Sequence, residues 1–429
     1  MKHFYMLLIG LFIGISSVSA QFEVAVGKQP FMVYLYNNDF YVLCKGVDAN
    51  FDGIYDPQTD ELPSLWRNNP IGMGPLSAYK LIDFPFGLNS FPVRPHFDGD
   101  LLYIQTNGYI WKYNIANGIL LDSIEFQSVV YGLSVYDDVL YVTTRVTPPG
   151  SWTPENNYII RINLQTKLPI DTIDAKMNVQ MCKVQNNMLY VLNEGFGGEN
   201  ESFVTVYDIN TKEEVKAFNA GAMGNFFEIK DDYIYVVSNG SHKVYKYSLT
   251  SEESFVYEVG TSGWDGPREL VFNPEGNKFR VSAYDGKIYE FKLNNATPVN
   301  IIDATKKVEG MLWTNYFDND VFIASLINNQ DYSANDYVLV WVNPISSVAD
   351  IVKKIAIYPN PASNYVIINN SENYFDNYEL VSLDGKILLD GVLNSFENKI
   401  NLASVNSGSY LLRLSGSNQN IAIVVRVVK

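Results

Sequence analysis

Asp231-Asp232-Tyr233-Ile234-Tyr235-Val236, followed by Val244-Tyr245-Lys246-Tyr247, is the stretch on which the fold turns. A polar turn leads into an aromatic residue and β-branched neighbours. A loop intervenes, and the next segment alternates at a period of two. Such alternation marks a strand packed on at least one face, and helical spacing is absent. The pattern recurs along the chain. Its second-strand cores are Phe40-Tyr41-Val42-Leu43, Leu102-Tyr103-Ile104, Leu140-Tyr141-Val142, Leu189-Tyr190-Val191, Ile234-Tyr235-Val236, Phe279-Arg280-Val281 and Val321-Phe322-Ile323. After a longer first step, the aromatics of these cores are spaced by 38, 49, 45, 44 and 43 residues.

Tight turns precede the cores, as in Asp98-Gly99-Asp100, Asp137-Asp138 and Asn186-Asn187. Asn, Asp and Gly tolerate the positive φ that hairpin turns demand. Four short strands per unit at this repeat length is the pattern of a β-propeller. The expected fold class is therefore all-β, with a seven-bladed β-propeller over 21–345; a six-bladed count is the alternative. The strand Phe22-Glu23-Val24-Ala25-Val26 is expected to pair into the last blade and remove the free sheet edges. These units resemble YncE-like and surface-layer propellers, and Glu194-Gly195 after Tyr190-Val191-Leu192-Asn193 is typical of Bacteroidetes members of that group.

If each unit runs a, b, c, d outward, the a–b and c–d turns share one face and the other connections share the opposite face. The a–b and c–d turns read as short. The long segments, 45–76, 83–96, 144–157, 193–202, 260–268 and 328–336, are all assigned to b–c or d–a connections. Long loops on a rigid scaffold are where binding residues concentrate, so that face is the candidate functional one.

The tail is a second domain. Tyr358-Pro359-Asn360-Pro361-Ala362-Ser363 is followed by Leu383-Asp384-Gly385-Lys386, Gly408-Ser409-Tyr410-Leu411-Leu412 and a closing Val424-Val425-Arg426-Val427-Val428-Lys429. Short strands with turns at Asp384-Gly385 and Ser407-Gly408 suit a small immunoglobulin-like sandwich over 357–429, after a linker at 346–356. This order resembles the type A C-terminal sorting domain of the type IX (Por) secretion system of Bacteroidetes. The resemblance implies that the secretion machinery reads the domain and usually removes it. It also implies that the protein is secreted or attached to the outer cell surface.

The amino terminus agrees. Lys2, an apolar stretch from Leu7 to Ile15, and Val18-Ser19-Ala20 read as a signal peptide over 1–20, too short to span a bilayer. No transmembrane segment is expected. The formal charge is −16, whereas residues 350–429 carry seven acidic and seven basic side chains. The acidity therefore lies in the body and disfavours nucleic acid and anionic membrane as partners. Cys44 and Cys182 are expected to be free and buried, and His96 and His242 alone in the mature chain leave a catalytic triad or a multi-histidine metal site little material to work with.

One local motif carries metal chemistry. Asp48, Asn50, Asp52, Gly53, Ile54 and Asp56 follow the spacing of an EF-hand-like calcium loop, with Ile54 offering its carbonyl. The twelfth position is Thr59 rather than Glu, with Asp60 or Glu61 as a substitute ligand. Bound calcium and a metal-free, Asx-turn-rich loop both remain open. On the loop-rich face, Trp66, Trp152, Phe196, Trp264, Asp265 and Arg268 are candidates for stacking on a glycan or gripping a peptide or protein. Packing between blades explains the aromatics equally well. Arg94, His96, Arg145 and Arg268 form a candidate anion site near the central channel. Gly197-Gly198 is no phosphate loop, since no helix follows it. Without a catalytic constellation, a binding protein is favoured over a calcium-assisted hydrolase or lyase of the lactonase-like kind.

Overall fold

The structure is a computed structural model that describes residues 20–37, 39–68, 78–85, 94–148, 151, 154–260, 265–316, 319–344, 356–370, 375–382, 386–415 and 420–429. The signal-peptide and linker readings lie outside these residues, apart from their last residues. Among the described residues every element is a strand. The chain divides into two compact units, one at Ser19–Asn343 and one at Pro344–Lys429.

The first unit holds seven four-stranded antiparallel sheets. In six of them spatial order follows chain order, over 30–83, 96–125, 130–174, 179–219, 224–258 and 267–303. The seventh takes three strands from 307–344, and its fourth is Ala20–Ala25, paired antiparallel with Tyr337–Pro344 through Phe22↔Val340 and Val24↔Val338.

Burial explains why the second strand of each sheet was legible. Asp39–Cys44 is buried at every position, and Met188–Asn193, Tyr233–Ser238 and Lys278–Ala283 at all but the first. A strand covered on both faces is free to be a continuous apolar run. The fourth strands do the opposite: Ala78–Asp83, Pro169–Asp174 and Ser254–Glu258 each bury a single residue.

The first strands lie against one another in chain order, from His96–Asp98 through Val130–Tyr136 to Lys307–Tyr316, which in turn contacts Pro30–Tyr36. Val33 and Val42 of the first sheet share one apolar cluster with Val321 and Val340 of the last. Two glycines set how closely these strands approach. A Cβ on Gly132 would lie 2.6 Å from the Cα of Met181, and one on Gly310 would lie 2.5 Å from the carbonyl oxygen of Phe31.

The segment 45–76 is not a single loop. Ser64–Asn68 inside it is the third strand of the first sheet, so 45–63 joins second to third strand while 69–77 lies between third and fourth. The cause is a short strand whose residues carry little apolar signal. The other long segments join second to third strands or fourth to first strands.

The second unit has a three-stranded sheet, Ala356–Tyr358, Tyr365–Asn369 and Glu397–Asn401, and a four-stranded one ordered Ile387–Val392, Asn377–Val381, Gly408–Ser415, Asn420–Val427. Val366, Ile368 and Ile400 from one sheet share a buried cluster with Leu380, Leu412, Leu414 and Val425 from the other.

Candidate functional site

The candidate site is a cavity of about 500 Å³ whose walls include Arg94, Tyr131, Arg145, Gln180, Glu194, Asn225, Arg268 and Glu309. These residues come from equivalent places in successive sheets. Tyr131, Gln180, Asn225 and Arg268 are each the second residue of a first strand. In all four sheets the ladder slips register at that point. A bulge there re-aims one side chain per sheet out of the ladder. Arg145 and Glu194 sit at or just beyond the ends of second strands. The cavity thus lies where first strands begin and second strands end, which is the end carrying the long connections.

Each arginine is held by a carboxylate and an aromatic face. Arg94 donates to Glu269 at 2.6 Å and lies 4.5 Å from the Phe226 ring centre. Arg145 donates to Glu194 at 3.2 Å and to the Val179 carbonyl at 2.9 Å, over the Tyr131 ring at 4.0 Å. Arg268 makes a two-pronged contact with Glu309, both bonds at 3.2 Å, over the Tyr284 ring at 4.6 Å. Stacking and bidentate pairing of this kind fix a guanidinium in place.

The electrostatics are strongly coupled. Burial drives the Glu309 carboxyl upward, but Arg268, Lys45, Arg94 and the Tyr284 hydroxyl outweigh it and hold it below the usual carboxylate value. At Glu269 burial wins over Arg94, and the carboxyl is raised. Burial also brings the Lys45 ammonium down to about 8; Glu309 opposes this, while Arg268 and Arg94 reinforce it.

Of the residues named from sequence, Arg94, Arg145 and Arg268 meet at this cavity. His96 is not among its walls, and burial lowers it to about 4. Asp265 is tied to Lys307 at 2.8 Å and accepts from the Tyr332 hydroxyl at 3.1 Å. Phe196 is 49% exposed on the 193–202 connection. Trp66 lies on the strand Ser64–Asn68 with its indole N–H on Ser64 at 2.9 Å, packed against the apolar cluster of the first and last sheets. Trp152 and Trp264 lie outside the described residues. Tyr131, Gln180, Asn225, Glu269 and Glu309 were not singled out in the sequence. Aligning the repeats on the second residue of each first strand is the signal that would have found most of them.

The 48–60 loop spends its carboxylates on its own amides. Asp48 accepts from the Gly53 N–H at 2.9 Å, Asp52 from Ile54 at 2.7 Å and Asp56 from Gln58 at 2.9 Å. Asp60 caps Ala49 and Asp56 at 2.9 and 2.8 Å, and these bonds hold its carboxyl below the usual range. Asn50 donates to Asp52 at 2.9 Å, and Ile54 is 70% exposed. Among the described residues no group of three or more His, Cys, Asp or Glu side chains is placed to hold a metal ion. Cys44 and Cys182 are free and buried.

In the second unit, the Asn360 side chain behaves as a strand residue. Its amide donates to the Val424 carbonyl at 2.8 Å and accepts from the Arg426 N–H at 2.9 Å. Ala362 continues the pairing, accepting from Val428 and donating to Arg426, both at 2.8 Å. Pro359 and Pro361 flank Asn360, each preceded by a cis peptide bond. Gly408 begins the strand Gly408–Ser415, and the Tyr410 hydroxyl donates to the Asn406 carbonyl at 2.9 Å. The Lys429 ammonium reaches the Ala403 carbonyl at 2.5 Å. Asp384 and Gly385 lie outside the described residues.

Residues 356–428 match the secretion system C-terminal sorting domain. This sorting domain implies export by type IX secretion, to the cell surface or beyond. No curated protein matches the chain. Among solved structures, the computationally designed Ika8 protein aligns at a TM-score of 0.50 and 13% identity, over 74% of this chain and 98% of that one. A chain in the crystal structure of a mitotic checkpoint complex aligns at 0.53 and 11% identity, over 74% and 90% respectively. At such identities the likeness is one of fold alone. Among the described residues, no helix is long and apolar enough to cross a membrane.

Proposed function

We propose that the first unit is a seven-bladed β-propeller of the YncE-like kind, exported by its sorting domain to bind a small ligand in the cavity at its loop-rich end. Ring closure is supported by the contact between the first and last sheets and by Ala20–Ala25 as the fourth strand of the seventh. The second unit, with two sheets on one core, reads as the immunoglobulin-like sandwich. The observation that carries the binding reading is the cavity itself: its walls are drawn from five successive sheets, with Arg94 from the connection that leads into His96–Asp98. Its volume of about 500 Å³ lies in the range of small-molecule sites. A calcium-assisted hydrolase or lyase would need carboxylates free to ligate, and Glu194, Glu269 and Glu309 are each engaged by an arginine.

Calcium enters the proposal only as an ordering ion for the 48–60 loop. Asp48 Oδ1, buried and without a partner, supports it; the engagement of the other carboxylates opposes it. No heat and no gain in melting temperature on adding millimolar calcium removes calcium from the account. For the cavity, the mature chain is screened on glycan and peptide arrays beside a Thr147→Val, Asn225→Leu variant. Ligands that the variant loses support the cavity, and ligands bound equally by both place the site elsewhere.

A further inference from the structure

The chemistry of the cavity walls narrows the ligand class, on the premise that this cavity is the binding site. Three guanidinium groups line it, and Glu194, Glu269 and Glu309 neutralise one each. Each guanidinium is thus matched by one carboxylate, inside a chain whose formal charge is −16. Diffuse attraction of anions to such a protein is disfavoured, so an anion that binds does so through local contacts.

The arginines are held ready for such contacts. Their ring faces are covered by Phe226, Tyr131 and Tyr284, and their carboxylate partners use only some of their N–H groups. Hydrogen bonds to described residues occupy Nε and Nη2 of both Arg145 and Arg268 and leave Nη1 of each unclaimed. Asn225 adds the complementary need. Its Nδ2 is spent on the Arg268 carbonyl at 2.6 Å, whereas its buried Oδ1 has no partner and requires a donor. Sulfate, a fully deprotonated anion, brings no donor. A hydroxyl group does, and the side chain of Thr147 on the same wall extends the polar surface that hydroxyls would meet.

We propose that the cavity takes a hydroxylated carboxylate of sugar size, a uronic acid or the uronate end of an acidic saccharide. Its carboxylate lies on the open guanidinium edges, and one of its hydroxyls donates to Asn225 Oδ1.

The test is titration calorimetry on the mature chain with D-glucuronate and D-galacturonate, beside D-glucose and inorganic sulfate. At least one uronate gives a saturable heat at millimolar concentration, and glucose gives none. Arg145→Lys keeps the charge but loses the guanidinium fork, and Asn225→Leu removes the acceptor. Each weakens uronate binding by about tenfold or more, the loss of one hydrogen bond to a charged or buried group. Melting curves of both variants verify folding, and Thr147→Val serves in place of either that fails to fold. Silence with both uronates overturns the inference, as does glucose binding as well as they do. Sulfate binding that matches uronate and is unmoved in Asn225→Leu overturns it too, leaving an adventitious ion only. The array comparison stands apart: a neutral ligand lost on changing Thr147 and Asn225 keeps the cavity as the binding site while refuting its acidic specificity.

Discussion

His96 sits partly buried beside Tyr103, and burial brings its imidazole down to about 4 against the pull of Asp98 and with the help of Lys183. Neutral at physiological pH, it adds no charge to the arginines it was grouped with in the sequence. A depressed base binds fewer protons folded than unfolded between pH 4 and its ordinary value of 6.5. Stability therefore falls as pH drops through that window, by on the order of 2 kcal/mol. Urea unfolding at neutral pH and near pH 5 measures the slope, and His96→Gln should flatten it. A second expectation concerns Arg268 and Glu309, whose side chains are 17% and 2% exposed. Arg268→Met removes the two-pronged partner of the buried Glu309 and leaves it to Tyr284, Lys45 and Arg94, at a cost of about 3 kcal/mol. Adding Glu309→Leu to that variant should restore much of the loss in denaturant unfolding; a further drop would mean that the pair is not a closed unit.

At the scale of elements, the first strands set both packing and site. Gly310 meets the backbone of the neighbouring first strand: a Cβ there would lie 2.5 Å from the Phe31 oxygen and 2.9 Å from the Met32 Cα. Because backbone cannot rotate aside as a side chain does, Gly310→Ala should cost about 1–3 kcal/mol. The drop in urea midpoint measures it, and an unchanged midpoint would show that these two strands are not pressed together. The same elements explain what sequence could reveal. Second strands such as Asp39–Cys44 announce themselves because both faces are covered. Fourth strands such as Ala78–Asp83 bury one residue and leave almost no pattern. The third strand Ser64–Asn68 is hidden for another reason: it is 5 residues long with Leu65 and Trp66 as its apolar signal, so it vanished into a supposed loop and took Trp66 with it. The cavity was half legible. Arginines beside the strand ends stood out, whereas Tyr131, Gln180 and Asn225 are single polar residues in unrelated words of sequence. Only the recurring slip in register places them together.

Considered whole, the chain joins a body that carries the acidity to a charge-balanced tail with seven acidic and seven basic side chains over 350–429. The tail was the most legible part, since its motif residues do visible structural work. Asn360 and Ala362 cover the outer edge of Asn420–Val427, the edge strand of its sheet. Asn360→Ala removes two hydrogen bonds and should destabilise this strand by about 1–3 kcal/mol. Faster amide exchange from Val424 to Val427, with the rest of the tail unchanged, is the expected signature. Deleting residues 421–429 goes further, because Val425 and Val427, 0% and 1% exposed, leave the shared core and Gly408–Ser415 becomes an open edge. Fractionation of cells carrying this truncation should find the protein retained in the periplasm. Val424→Asp separates reading from folding, since Val424 is 57% exposed and its replacement leaves the core intact. Retention of that variant with an unchanged melting temperature would assign recognition to the outer face of the last strand. Normal export of the truncated chain would show that the final strand is dispensable to the secretion machinery.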